Sequence, residues 1–266
     1  MSKKNDRTLR FYHEVLGLDY LHYGIWDMDD ELTIDNLKKA QQKYEDYIIE
    51  NIPQDTKKIL DVGCGTSALA ERLLEMGKEA EGLSPDINQK KIFTEKLDAP
   101  FHHCRFEKFS ASHTYDCLIM SESSQYISIK TLFENVRQSL APYGHLLVFD
   151  YFLKNNATGI FSKSGHNLEA FLKAAQDNNF KIIKQNDFTE QASRTLDLAK
   201  SFLDKIELAI DIYTERPIKR HPHLSRLAKW LLRNKIKKYD RQKQLIDSEG
   251  FKENKVYNFY LFQLQS

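Results

Sequence analysis

Lys58-Ile59-Leu60-Asp61-Val62-Gly63-Cys64-Gly65-Thr66-Ser67 decides the fold of this chain. An apolar run carrying one acid leads into two glycines that flank a single residue, and a polar pair then opens a helix over Ala68–Met76. A buried strand, a tight bend and a helix start account for each choice. Glycine accepts positive φ and lets a ligand lie against the main chain, and the first turn of a helix offers free N–H groups. The bend lacks the third glycine of the dinucleotide fingerprint, so by itself it leaves the ligand open.

Around this stretch the pattern is a β/α alternation. Strands are predicted at Ile59–Val62, Glu79–Leu83, Phe101–Cys104, Asp116–Met120, His145–Asp150 and Phe180–Lys184, and helices at Asn88–Lys96, Ile129–Leu140 and Asn167–Asn179. Pro142-Tyr143-Gly144 reads as a turn. Continuous apolar strands alternating with helices predict an α/β chain, a parallel sheet covered on both faces. Before it, residues 8–30 are rich in aromatics (Phe11, Tyr12, Tyr20, Tyr23, Trp26), and 35–51 form an amphipathic helix ended by Pro53. After it, 189–249 are almost wholly helical until an aromatic strand over Val256–Leu264. The expected organisation is a lid and helix over 1–55, a core over 56–188, a helical cap inserted over 189–250, and a last core strand over 251–266.

With 266 residues, 41% hydrophobic and 29% charged, the composition is that of a water-soluble globular protein of one large domain. Three widely spaced cysteines, Cys64, Cys104 and Cys117, form no metal-ligand spacing and no disulfide framework. The polar start lacks the apolar segment of a signal peptide, and a cytoplasmic location is expected. The formal charge of +1 divides unevenly: residues 1–150 hold 18 Lys+Arg against 25 Asp+Glu, and 151–266 hold 21 against 13. The basic excess concentrates at 220–243, a candidate contact for an anionic membrane or a carrier protein, and equally a solvated helix face.

The glycine string resembles motif I of the class I S-adenosylmethionine-dependent methyltransferases, and further segments resemble that family in order, especially its small-molecule and lipid branch (tocopherol, sugar and cyclopropane-fatty-acid relatives). His22-Tyr23-Gly24-Ile25-Trp26 resembles the branch's lid, and Leu37-Lys38-Lys39-Ala40-Gln41 the helix after it. Gly82-Leu83-Ser84-Pro85-Asp86 with Gln89 resembles the segment after the second strand, and Phe106-Glu107-Lys108-Phe109 the one after the third. Tyr115–Ser123 resembles motif IV, and Leu140–Val148 the proline–glycine turn with its strand. The resemblance implies a Rossmann-like, doubly wound, seven-stranded sheet with its last strand antiparallel. It departs from the family at Ser84, where many members carry a ribose-binding acid that Glu81 or Asp86 would replace. It departs again at Arg105, where many carry an adenine-binding Asp, and at Tyr143, which replaces a glycine.

In a doubly wound sheet the ligand lies beyond the carboxyl ends of the strands. The cofactor implied by the resemblance is S-adenosylmethionine, held by Tyr23, Trp26, Asp61, Gly63, Cys64, Gly65, Thr66, Ser67, Ser84, Pro85, Gln89, Arg105, Phe106, Glu107 and Ser121. Its carboxylate suits the free amides of a helix start, and its ammonium suits Asp61. His22, Glu122 and Tyr126 are the candidate catalytic residues near the methyl, with Gln125 and Asp150 beside them. A base is needed only when the acceptor carries a proton at neutral pH. His102-His103 and His221-Pro222-His223 lack the spacing of a zinc site. No Asn/Asp-Pro-Pro-aromatic string follows the fourth strand, so a specific nucleic-acid substrate is not expected. The sequence therefore points to methyl transfer onto a small organic or lipid-like acceptor. Cyclopropanation on the same fold, and a non-catalytic scaffold, are the alternatives.

Overall fold

Ile59, Leu60, Asp61 and Val62 are all buried, the state of a strand covered on both faces. The computed structural model describes residues 16–18, 20–220 and 222–265. Its elements run α1 (Ile34–Glu50), β1 (Lys58–Val62), α2 (Ala68–Glu75), β2 (Glu79–Leu83), α3 (Ile87–Lys96), β3 (Phe101–His102), β4 (Tyr115–Ser121), α4 (Ile129–Ser139), β5 (Leu140–Leu153), β6 (His166–Asn167), α5 (Leu168–Asp177), β7 (Phe180–Asp187), α6 (Thr189–Arg220), α7 (Pro222–Gln244), α8 (Ser248–Asn254) and β8 (Lys255–Leu264). The main sheet order is β3-β2-β1-β4-β5-β8-β7, with the two-residue β6 beside β5. β8 runs antiparallel to β5 and β7, and the strands from β3 to β5 are parallel to their neighbours. This is the expected seven-stranded Rossmann-like sheet, and its order reverses between β1 and β4.

Side chains alternate across the sheet into two cores, as strand geometry requires. Leu60, Val62, Leu118, Met120, Leu146 and Val148 pack with Phe133 and Phe171 of α4 and α5. Ile59, Cys117, Ile119, Leu147 and Phe149 pack on the other face with Tyr44 and Ile48 of α1 and Leu69 and Leu73 of α2. Thr33 caps α1, its Oγ1 accepting from Asn36 N at 3.2 Å, and Asp86, Ser128 and Asn167 cap α3, α4 and α5 in the same way.

Several boundaries differ from the expectation. β3 stops at His102 because Cys104 N turns back to His102 O at 3.0 Å and a 3₁₀ turn follows over Phe106–Lys108. Pro142-Tyr143-Gly144 lies inside β5 rather than before it. Tyr143 takes φ 62° there, and the pairing with β4 slips between Tyr115 and Cys117, so the turn is absorbed as an irregularity of the ladder. β7 runs on to Asp187, which pairs with Asn258 of β8. Leu224, Leu227, Ala228, Leu231 and Leu232 of α7 recur at helical spacing, and of them the last two are exposed (65% and 45%). The side chains of the other three, with Phe11, Tyr12 and His221, lie outside the described residues.

The bend after β1 is held by contact as well as by φ. Gly63 has φ 84°, its N donates to Leu83 O at 2.7 Å, and a Cβ built on it would stand 2.5 Å from Ser123 Cβ. Gly63→Ala is therefore expected to destabilise the fold by about 1–3 kcal/mol through overpacking. Ser123→Gly alone loses the bond to Val62 O, so the clash is read as the coupling between the two changes: the double variant should be more stable than the sum of the two single losses by about 1–3 kcal/mol. Urea denaturation of both single variants and the double measures it, and strictly additive losses would contradict the contact.

Candidate functional site

Three buried carboxyl groups stand near the carboxyl ends of adjacent parallel strands: Asp61 on β1, Glu122 just after β4 and Asp150 on β5. Burial raises each above its ordinary range. Asp61 reaches about 7, with Glu45's charge adding to the desolvation. Glu122 reaches about 8, with hydrogen bonds from Tyr257 and Tyr23 pulling the other way. Asp150 reaches about 6, opposed by bonds from Ser124, Tyr151 and Gln125 and by the Lys255 charge. Such a cluster disfavours its own ionisation and favours a neighbouring cation.

Each acid has a distinct setting. Glu122 sits at φ 50°, and its Oε1 accepts from Tyr23 N at 2.8 Å and from the Tyr257 hydroxyl. It thereby joins the lid, the end of β4 and the start of β8. Asp150 accepts from Ser124 Oγ at 2.7 Å, Gln125 N at 3.2 Å and Tyr151 N at 2.9 Å, which fixes the turn after Glu122. The carboxyl of Asp61 accepts no hydrogen bond among the described residues, although the residue is 3% exposed.

The bend beside Asp61 is open toward a ligand. Gly65 has φ 52°, and a Cβ there would meet nothing within 4 Å. Ser67, at the start of α2, has φ 67° and turns its hydroxyl to Thr66 O, so the first-turn amides of α2 have no side-chain cap. Beyond β2, Ser84 is buried, its Oγ accepts from Asp86 N at 3.1 Å, and Pro85 follows it into the α3 cap. The Oε1 of Gln89, in the first turn of α3, is a buried acceptor without a donor. A cationic amino-acid nucleoside fits these groups. Asp61 suits an ammonium, the α2 amides a carboxylate, and Ser84 with Gln89 a pair of hydroxyls.

Other expected residues are placed differently. Glu81 does not stand in for the missing ribose acid: its carboxyl accepts from Tyr115 at 2.7 Å and meets His102 Nε2 at 2.6 Å. Asp86 accepts from Asn88 N at 2.8 Å as the α3 cap. Arg105 is exposed at the head of the Phe106–Lys108 turn, where Phe106 is buried and Glu107 half-buried. Cys64 is buried, and burial pushes its thiol far up, which suits a filler rather than a nucleophile. Trp26 is buried between lid and cap, its Nε1 donating to Thr195 Oγ1 at 3.0 Å, while Tyr23 presents its ring to Tyr257 at 5.3 Å. Tyr126 is 78% exposed at the end of the Ser124–Tyr126 turn.

His22 stacks on Tyr44 with ring centroids 4.1 Å apart. Its Nδ1 lies 2.6 Å from Tyr23 O, so Nδ1 carries the hydrogen and the buried, partnerless Nε2 is left as an acceptor. Burial lowers its pKa to about 4, so the ring is neutral at ordinary pH.

Three residues outside the expected cofactor and catalytic sets carry this geometry. Tyr44 bonds Ser121 Oγ at 2.9 Å, and Gln41 Nε2 holds the lid at His22 O at 2.7 Å. Ser123 Oγ donates to Val62 O at 2.5 Å. Polar residues on the buried face of α1 were the available signal, since an amphipathic helix has no other reason to turn Gln41 and Glu45 inward.

Residues 59–144 match the family model described as a methyltransferase domain. Among curated proteins, the ubiquinone biosynthesis O-methyltransferase of Aromatoleum aromaticum is 24% identical over 123 residues, 43% of this chain. The match spans about half the length of that relative, 51%. Among solved structures, a putative sarcosine dimethylglycine methyltransferase from Galdieria sulphuraria superposes with a TM-score of 0.73 at 15% identity, covering 98% of this chain and 99% of that one. The geranyl diphosphate C-methyltransferase of Streptomyces coelicolor A3(2), solved with geranyl diphosphate and S-adenosyl-L-homocysteine, gives 0.68 at 13% identity, with 98% of each chain covered. These likenesses extend the fold over the segments before and after the matched residues.

The raised acid after β4 has a consequence for stability. Below pH 4.5 Glu122 is protonated in both states and its contribution to folding is complete; as pH rises the unfolded chain ionises first, and the contribution is lost until the folded carboxyl ionises near 8. Glu122→Gln keeps the acceptor and removes the titration. Its melting temperature relative to the parent should rise steadily between pH 4.5 and about 8, read by scanning calorimetry. An offset that does not vary with pH would mean that Glu122 titrates normally.

Proposed function

We propose that this chain, whose core is a class I S-adenosylmethionine-dependent methyltransferase domain, transfers a methyl group to a small organic or lipid-like acceptor. The observation that carries this reading is the unpartnered, buried carboxyl of Asp61 beside the open glycine bend. Asp61 would hold the ammonium of S-adenosylmethionine, the uncapped first-turn amides of α2 its carboxylate, and Ser84 and Gln89 its ribose hydroxyls. When bound, the cofactor supplies a methyl already activated by its sulfonium.

The protein's own work is alignment and exclusion of water, which is worth about 7–11 kcal/mol in well-oriented reactions. The lid segment Tyr20–Trp26 is fastened over the strand ends through Gln41 and Glu122. Glu122, largely protonated near neutrality, orients the acceptor through the oxygen that neither Tyr23 nor Tyr257 occupies. A cation beside it lowers its pKa and makes it a better acceptor. His22 Nε2 receives the proton of an O–H or N–H acceptor, and the Tyr126 hydroxyl borders the entrance. On this reading residues 1–55 act as lid, 56–188 with the last strand as core, and 189–250 as cap. A cytoplasmic setting is supported by three cysteines that stay free thiols.

Calorimetric titration with S-adenosylhomocysteine should give saturable binding, and Asp61→Asn should weaken it at least about tenfold, or 1.4 kcal/mol. Absence of binding by the parent protein would remove the cofactor assignment. His22→Ala should leave that affinity intact and slow single-turnover methylation of a hydroxyl or amine acceptor by roughly 10²–10⁴-fold. An unchanged rate would show that His22 only packs.

A further inference from the structure

We propose that the outward face of α7 docks on an anionic lipid surface. α7 holds Arg226, Lys229, Arg233, Lys235, Lys237, Lys238, Arg241 and Lys243 against one acid, Asp240. Within it, Arg226, Trp230, Arg233, Lys237 and Arg241 recur at steps of four, three, four and four, the spacing of one helix face. All five are exposed, and the Arg233 guanidinium lies 5.7 Å from the centroid of the Trp230 ring.

This face is turned away from the rest of the protein. The other side of α7 meets α6, where Tyr239 donates to Glu207 at 2.8 Å and Lys243 Nζ to Glu207 at 2.6 Å. Glu207 therefore neutralises Lys243, and the one acid of α7, Asp240, stands three residues after Lys237 at the edge of the stripe, where Arg226, Arg233, Lys237 and Arg241 outnumber it. A second copy does not suit it, because a two-fold contact would set like charges opposite one another. An anionic surface does.

Apolar exposure decides between anionic partners. Trp230, set among the cations of the stripe, is 59% exposed. Cations alone serve a phosphate backbone, but an exposed tryptophan among them gains most at the boundary between headgroups and acyl chains. The arrangement is that of a helix lying in the plane of a membrane surface, with no helix among the described residues long and apolar enough to cross one. The inference is independent of the site's chemistry. It goes beyond methyl transfer by supplying a place where a lipid-like acceptor would be met.

The test is co-sedimentation of the full chain with vesicles of phosphatidylcholine mixed with phosphatidylserine, against pure phosphatidylcholine. Trp26 is buried, so a blue shift of tryptophan emission on binding reports Trp230. Binding to the mixed vesicles only, reversed by salt, is expected. The triple variant Arg226→Gln/Arg233→Gln/Lys237→Gln should lose at least about tenfold in partitioning, given roughly fivefold per basic residue near a charged membrane. S-adenosylhomocysteine titration of that variant, unchanged, shows that the fold is intact and keeps this outcome separate from the cofactor reading. No partitioning by the parent, equal partitioning to uncharged vesicles, a triple variant that binds as the parent does, or preferential binding of single-stranded RNA would each overturn the proposal.

Discussion

The close approach of Gly63 to Ser123 is the constraint on which the rest of the site depends. It seats the bend after β1 directly against the loop after β4, and the two strands flank the point where sheet order reverses. Ser123 Oγ then satisfies Val62 O, the last carbonyl of β1, in a place where water is excluded. With Ser123 fixed, its neighbour Glu122 is left in a left-handed backbone conformation that carries its carboxyl over the strand ends. Non-glycine residues adopt that conformation at a cost, and it persists where surrounding contacts over-determine it. Here they do: Glu122 N donates to Phe149 O at 2.9 Å, and the side chain takes Tyr23 N and the Tyr257 hydroxyl.

From that point outward, the segment Tyr20–Trp26 is fixed by backbone contacts as well as by the burial of Trp26. Gly24 lies so close to α1 that a Cβ would stand 2.6 Å from Ala40 Cβ, and Ile25 N donates to Ala40 O at 2.9 Å. Thr195 of α6 accepts from both Gly24 N and Trp26 Nε1, so α6 holds this segment from the side opposite α1. α1 and α6 thus share one short segment of chain that carries Tyr23 to the strand ends. Coupling of this kind needs only a packed element common to both regions.

Much of this was legible. The apolar run into Gly63-Cys64-Gly65 fixed β1 and α2, because strand period, positive-φ demand and helix start agree there. The Ser84-Pro85-Asp86 punctuation placed the end of β2 correctly, and the aromatic run after 255 gave the last strand. What escaped were features set by tertiary context. The extension of β7 to Asp187 depends on pairing with β8, and its side chains after Phe180 are exposed, so no apolar pattern announced it. Tyr257 reads in sequence as a core aromatic, and only the fold sets its hydroxyl against Glu122. Glu81 reads in sequence as a candidate ribose acid near the second strand, yet in the fold its carboxyl is engaged by His102, Tyr115 and His113. Residue type and spacing locate loops at strand ends; they do not say which side chain of a loop turns inward.

The electrostatics give the site a direction. Asp61, Glu122 and Asp150, with Glu45 raised to about 7 by burial despite its Arg72 partner, hold carboxyl groups where burial makes their charges costly. A protein selected for stability alone would place amides or apolar groups there, since unpaired buried acids oppose folding as pH rises. A cation entering among them reverses the sign of that effect: it lowers each pKa, restores the ionised forms and is attracted in return. A neutral nucleoside, or a nucleotide with its phosphates, gains nothing from this arrangement and in the second case is repelled by it. The burial that weakens the protein alone as pH rises is thus the same burial that a cationic ligand, once bound, would turn into a stabilising one.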